Sequence, residues 1–280
     1  MTPITLALGG GAALGWAHIG VIRTLQDAYI PIGAVAGTSM GAIVGACLAA
    51  ERLDHLEEIA RTANRRTVLG FLDPALNRHG LIGGRRVVRE MIDHIGPETL
   101  LENLSIPAAM VAADLMTGEE VRLTHGPLIP AVRASIAVPS LFTPVKVDGR
   151  WLIDGGMVAN VPVAAARAIG GAATLVAVDL FADYAGHAAA AMPDGRPRNA
   201  LKTGRAGFLM LMRAQGMLTV RLNPPDALIT PAIGHISTGA FLSAEELIEA
   251  GRVAAQAALP MIRAAITAQK SGNPSSLLNH

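Results

Sequence analysis

Ser39 stands at the centre of Gly37-Thr38-Ser39-Met40-Gly41, between a short apolar segment and a helix-forming one. Glycines two positions either side of a serine permit a sharp, strained strand-to-helix turn. Such a turn exposes the hydroxyl as a nucleophile and aims a helix N-terminus at the reacting centre. The same five residues also fit an ordinary turn in which Ser39 or Thr38 caps the helix. Acyl transfer at Ser39 needs two further parts, donors for a developing oxyanion and a base for the hydroxyl proton.

Gly9-Gly10-Gly11 follows the first apolar run and opens a helix. Backbone N–H groups there can converge on an anion. A dinucleotide-binding loop would need Gly-x-Gly-x-x-Gly and an acidic residue closing the second strand. This chain has Leu14 where the third glycine belongs, and its second strand ends in Gly37-Thr38-Ser39. That speaks against a cofactor and leaves two readings. In one, the Gly10 and Gly11 N–H groups form an oxyanion hole facing Ser39; in the other, the loop is a tight packing turn.

Asp154-Gly155-Gly156 follows the apolar run Trp151-Leu152-Ile153. An aspartate at a strand end can take the serine proton directly if partial burial raises its pKa toward neutrality. The alternative is a plain Asp-Gly turn, like Asp148-Gly149 shortly before it. A Ser-His-Asp arrangement would need His187 or His235, and neither has a diagnostic setting. Only one strand–helix unit precedes Ser39, which counts against the usual α/β-hydrolase order. His18, already inside the first helix, reads as a packing or hydrogen-bonding residue. Asp114 and Asp179, at strand ends, are further candidates to line the crevice.

The elements that must position these groups follow from periodicity. Ile4–Leu8 and Ile32–Ala36 read as short buried strands, each followed by a helix, Ala13–Ala28 and Ala42–Ala50. This alternation is the mark of a parallel sheet covered by helices, and it places the glycine loop and the Ser39 turn in one crevice at strand carboxyl ends. Further helices are expected near Leu53–Asn64, Gly84–Ile95, Pro127–Ser135, Val163–Ile169 and Gly207–Leu218. Ala108–Ala113, Ala173–Leu180 and Ala227–Ile229 read as strands, Leu115–Val121 as a turn, and Val145–Ile153 as a hairpin about Asp148-Gly149. A closing helix starts at Ser243 with Glu246 as a capping box. The Gly/Pro/Ala-rich stretch 182–202 reads as a mobile loop or lid, and 270–280 as a frayed tail. Phe208, Leu209, Met210, Leu211, Met212, Met217 and Leu218 suit core or lid packing, with an acyl-chain groove as the alternative.

The 280 residues, 51% hydrophobic and 16% charged, fit one packed domain and exclude a disordered chain. A net charge of +1 and 3% aromatic residues give no case for nucleic acid. The single cysteine, Cys47, excludes an internal disulfide and a multi-cysteine metal site, and it reads as a buried structural thiol. With no basic N-terminal region before Ile4 and no uninterrupted membrane-length apolar run, the expectation is a cytoplasmic protein with at most peripheral membrane contact.

Taken in order, Gly9-Gly10-Gly11, Gly37-Thr38-Ser39-Met40-Gly41 and Asp154-Gly155-Gly156 resemble the three signature blocks of the patatin-like phospholipase family. Ala17-His18-Ile19-Gly20-Val21, Arg133-Ala134-Ser135 with Pro139, and Asn160-Val161-Pro162-Val163 agree with it. The resemblance runs from about Leu6 to Asp179. It implies a three-layer α/β/α sandwich around a mostly parallel sheet, and a Ser-Asp dyad that hydrolyses acyl esters of lipids without histidine, metal or cofactor. By position, Ser39 is the nucleophile and Asp154 the base, with Gly10, Gly11 and the Met40 N–H at the oxyanion. Gly9, Gly15, Gly37, Gly41, Gly155 and Gly156 are the motif glycines. One departure stands out: family members usually carry Arg or Lys where this chain has Leu14. That motivates one alternative, a patatin-fold regulatory or scaffold protein with weak or no turnover; a further alternative, an acyltransferase, uses the same residues and differs only in product.

Overall fold

Alternating residue size along the central strands sorts the chain into layers. In the computed structural model, which describes residues 2–66, 68, 74–77, 80–82, 85–191, 196 and 200–271, β1 (Ile4–Leu8) and β2 (Ile32–Thr38) pair in parallel. Ile4, Leu6, Leu8 and Val35 point to one face, into the larger core, whereas Ala7 and Ala36 point to the other. This is the period-two pattern of strands buried on both sides.

The large-residue face is covered by α1 (Ala17–Asp27), α2 (Met40–Ala49) and the C-terminal helix; α3 (Leu53–Thr62) follows α2. A short 3₁₀ turn, Ala12–Trp16, links the glycine loop to α1. Next come a small hairpin, β3 (Pro74–Asn77) with β4 (Gly80–Ile82), and helix α4 (Arg85–Ile95). Strand β5 (Ala108–Asp114) pairs in parallel with β2 and antiparallel with β6 (Glu120–Leu123). The expected turn at Leu115–Val121 is therefore shorter: it closes around Gly118, at φ +73°, and the alternating Glu120-Val121-Arg122-Leu123 returns as a strand.

Helix α5 (Leu128–Ser135) precedes the hairpin β7 (Val145–Val147) and β8 (Arg150–Asp154). Its turn is the expected one, with Asp148 and Gly149 both at positive φ, 48° and 81°. The single-turn helix α6 (Gly156–Ala159) and α7 (Val163–Gly170) follow, and α7 lays its small residues on the alanine face of the sheet. Strand β9 (Leu175–Val178) pairs with the free edge of β1, and β10 (Ala227–Ile229) pairs with β9, both in parallel. Pairings run β10-β9-β1-β2-β5-β8-β7, with β2 and β8 end to end along one edge of β5 and β6 on its other edge. It is a mostly parallel sheet between helical layers.

Two expectations need correction. The stretch 182–202 is not a continuous loop: α8 occupies Tyr184–Ala191, and α9 (Ala200–Leu222) begins well before Gly207. Residues 192–195 and 197–199 of that stretch, and the tail 272–280, lie outside the described residues. The last helix, α10 (Ala244–Lys270), follows Ser243, but Ser243 makes no side-chain capping bond. Glu246, its expected partner, is drawn to His235 Nε2 at 2.9 Å instead. Among the described residues no helix is long and apolar enough to cross a membrane.

Candidate functional site

Two strands meet end to end along one edge of β5. β2 runs parallel to β5, with Thr38 beside Val111, and β8 runs antiparallel, with Asp154 beside the next residue, Ala112. β6 occupies the opposite edge. The chain leaving β2 at Ser39 and the chain leaving β8 at Gly155 therefore emerge at one point of the sheet. That is how residues more than a hundred positions apart come to share a site.

Ser39 takes φ 55° and ψ −122°, a left-handed conformation rare for a residue with a side chain. The turn is held by close backbone approach. A Cβ on Gly37 would lie 2.2 Å from the Gly41 carbonyl oxygen, and one on Gly41 would lie 2.2 Å from that of Leu8. The Ser39 N–H donates to Ser135 Oγ at 3.0 Å, and that hydroxyl donates to the Val111 carbonyl at 2.5 Å. Thr38 Oγ1 donates to the Ala159 carbonyl at 2.8 Å. Thr38 and Ser39, adjacent in the strained turn, are thus tied to α6 and, through Ser135, to β5.

Asp154 is buried, with Oδ1 accepting the Gly156 N–H at 2.7 Å. Burial pushes its carboxyl up to about 6, while the Ser39 hydroxyl and the Gly156 N–H favour the charged form. The hydroxyl faces the carboxyl without closing a standard hydrogen bond: among the described residues Oδ2 is buried and has no partner. Catalytic hydrogen bonds commonly tighten only once substrate is seated. Gly155 sits where a Cβ would lie 2.4 Å from the Val111 carbonyl oxygen, so only glycine lets the chain turn away from β5 there.

The glycine loop behaves differently from expectation at one residue. The Gly10 N–H donates to the Asn160 carbonyl at 2.9 Å, so it is committed to holding the loop and is not available to an oxyanion. The Gly11 and Met40 N–H groups donate to no other group among the described residues. Gly9 is fixed from behind by His18, whose Nε2–H donates to the Gly9 carbonyl at 2.8 Å. Burial lowers His18 to about 4, so the ring is neutral near pH 7 and serves as a strut. Gly15 makes room for Met40, whose Cγ would lie 2.2 Å from a Cβ at that position. Leu14 is fully buried in the core.

Gly11, Ser39, Met40 and Asp154 all line a cavity of about 530 Å³ with mainly apolar walls. Phe208 and Met212, one turn apart on α9, contribute to its wall, whereas Met210, Leu211 and Leu218 face outward. Cys47 also borders it, with its thiol pushed up to about 12 by burial. Asp114, Asp179, His187 and His235 do not line it. Asp114 accepts the Met116 N–H, Asp179 accepts the Phe181 N–H, His187 packs on Phe181, and His235 pairs with Glu246 at the surface. Two residues without an assigned role from sequence do belong to the site. One is Ser135; the other is Asn160, which lines the cavity with Nδ2 buried and unpartnered among the described residues. Only their place in two short agreeing stretches marked them.

The sequence matches the family model described as patatin-like phospholipase over residues 6–167. It is 41% identical over 191 residues to an uncharacterized NTE family protein of Mycobacterium tuberculosis, covering 68% of this chain and 52% of that one. A second such protein of the same organism is 33% identical over 275 residues, covering 91% of this chain and 46% of the relative. The neuropathy target esterase of Drosophila melanogaster is 33% identical over 183 residues, covering 63% of this chain and 13% of its own length. The chain thus spans about half the length of the mycobacterial relatives and a small part of the fly protein.

Proposed function

This chain belongs to the patatin-like phospholipase family, and we propose that it is a serine acyl-ester hydrolase acting on lipids through Ser39 and Asp154. The observation that carries the reading is the pairing of a strained, cavity-facing Ser39 with a buried Asp154 whose Oδ2 is open. A carboxyl raised to about 6 is ionised at pH 7 yet basic enough to take a proton in the transition state.

In the first half-reaction Ser39 Oγ bonds to the ester carbonyl carbon as its proton passes to Asp154 Oδ2. The carbonyl oxygen becomes an oxyanion received by the Gly11 and Met40 N–H groups, the latter at the first turn of α2, where the helix dipole favours negative charge. Collapse breaks the bond to the leaving alcohol, which departs with the proton from Asp154. Water then attacks the acyl-Ser39 ester, again giving its proton to Asp154, and the free acid leaves with Ser39 restored. The apolar cavity suits an acyl chain, which fits lipid degradation better than hydrolysis of small polar esters. Cytoplasmic residence with peripheral contact at a lipid surface completes the proposal.

The test is release of fatty acid from mixed vesicles of diacyl phospholipid by the purified chain. Wild type should turn over, and Ser39→Ala and Asp154→Asn should each lose at least about 10³-fold while remaining folded. Activity surviving in Ser39→Ala would refute the proposal.

A further inference from the structure

A second cluster of chemically capable side chains lies on another wall of the same cavity. His55 on α3 and Glu90 and His94 on α4 each present a ligand atom, and the three atoms lie within 4.8 Å of one another. Glu90 and His94 are four residues apart, so one helix face carries both, with His94 Nε2 3.5 Å from Glu90 Oε2. In a tetrahedral site with metal bonds of about 2.0–2.1 Å, ligand atoms stand about 3.3 Å apart. That pair is already near its bound spacing, and the third ligand needs a shift within side-chain reach.

His55 Nε2 is buried and has no hydrogen-bond partner among the described residues, an uncompensated cost unless something occupies that side of the ring. Its other nitrogen, Nδ1, faces Glu58 Oε2 at 3.8 Å. A carboxylate behind a histidine is the usual outer partner of a metal-bound imidazole, fixing its tautomer. The two imidazole rings already touch, with centroids 3.5 Å apart, so the His55 ring must swing away from His94 for both to reach one ion. Arg52 braces the two helices: it precedes α3, and its Nε donates to the His94 carbonyl at 2.8 Å. The ligands' side chains are about one-third exposed, at 31%, 33% and 36%, so the cluster borders solvent although His55 Nε2 itself is covered.

We propose that His55, Glu90 and His94 bind a divalent transition cation of the zinc class, with its fourth position turned to the cavity that also contains Ser39. Two imidazoles and one carboxylate are a donor set suited to zinc and its neighbours rather than to magnesium or calcium. The site does not depend on the hydrolase reading, because no ligand belongs to the Ser39–Asp154 pair.

The test uses the full chain, freed of metal with a chelator and titrated with zinc by calorimetry at pH 7.5. Cobalt(II) absorption reports coordination geometry in parallel. One ion per chain is expected, with tetrahedral cobalt bands. His94→Ala and Glu90→Gln should each weaken binding by at least about 100-fold, and Glu58→Gln by roughly tenfold. Ser39→Ala should bind as wild type does, so this proposal and the hydrolase proposal fail separately. Should His94→Ala not fold, Glu90→Gln with the cobalt spectrum decides. No stoichiometric zinc binding by wild type, or undiminished binding in the folded ligand variants, would overturn the site.

Discussion

Ser39 follows directly on Thr38, which pairs with Val111 of β5, and Asp154 pairs with the next residue, Ala112, so the two meet at the facing ends of two strands that share one edge of β5. In the proposed reaction, a nucleophile and base placed in this way need no histidine between them, because the sheet itself sets their approach. On that proposal, the ionisation of the buried Asp154 carboxyl is the control point of the site.

Activity should therefore follow that carboxyl. With Asp154 raised to about 6, kcat/KM on a soluble ester should rise about tenfold per pH unit below about pH 6 and level off above it. Stability should run the other way. Folding raises this pKa, so the group's contribution is full below about 3.8 and is lost as pH rises through about 6. Asp154→Asn should be more stable than wild type at pH 8, on the order of 2 kcal/mol, with the gap vanishing below about pH 4. Denaturant melts at the two pH values check this; a gap that widens in acid would contradict it.

Ser135 holds the proposed nucleophile Ser39 from outside the cavity lining. Ser135→Ala leaves both the Ser39 N–H and the Val111 carbonyl without their partner, at a cost of about 1–3 kcal/mol. The expected signature is a roughly tenfold or greater fall in kcat with KM nearly unchanged, since the cavity walls stay in place. An equal loss of binding would mean that Ser135 supports the cavity rather than the turn.

Glycine substitutions should separate close approach from backbone conformation. Gly37→Ala and Gly41→Ala press a methyl to 2.2 Å from a backbone oxygen, and both should destabilise by several kcal/mol or prevent folding. Gly118→Ala meets nothing within 4 Å and carries only the strain of φ +73°, about 1–2 kcal/mol. Thermal melts of the three variants should fall in two groups.

Leu14 occupies the position where the resemblance to the family leads one to expect Arg or Lys. It is wholly buried here, so Leu14→Arg would place a guanidinium in the core without a prepared partner. We expect it to cost about 3 kcal/mol or more and to yield no gain in activity, whereas Leu14→Met should cost less than about 1.5 kcal/mol. A stable and faster Leu14→Arg would show that the surroundings already accommodate the cation.

The parts of this fold legible from sequence were those set by local pattern. The apolar runs Ile4–Leu8 and Ala227–Ile229 and the Asp148-Gly149 hairpin turn are strands and a turn at the expected places. What could not be read was set at long range. The Gly10 N–H is taken by Asn160, and Ser135 reaches Ser39 across 96 positions; no spacing rule announces either bond. Glu246 matched a capping pattern, but His235 competes for it from a neighbouring loop. In 182–202 the glycines and prolines masked an alanine-rich helix, Tyr184–Ala191, whose own composition favours helix. The His55–Glu90–His94 cluster joins two helices with an intervening hairpin, so its members meet only in three dimensions.

The most direct measurement is covalent labelling with a fluorophosphonate that carries a long alkyl chain, followed by peptide mass spectrometry. The probe should modify wild type once, on the peptide containing Ser39, more slowly as pH falls below about 6, and Ser39→Ala should remain unlabelled. Absence of labelling in folded wild type, or persistent labelling of the same peptide in Ser39→Ala, would contradict the assignment of Ser39 as the nucleophile.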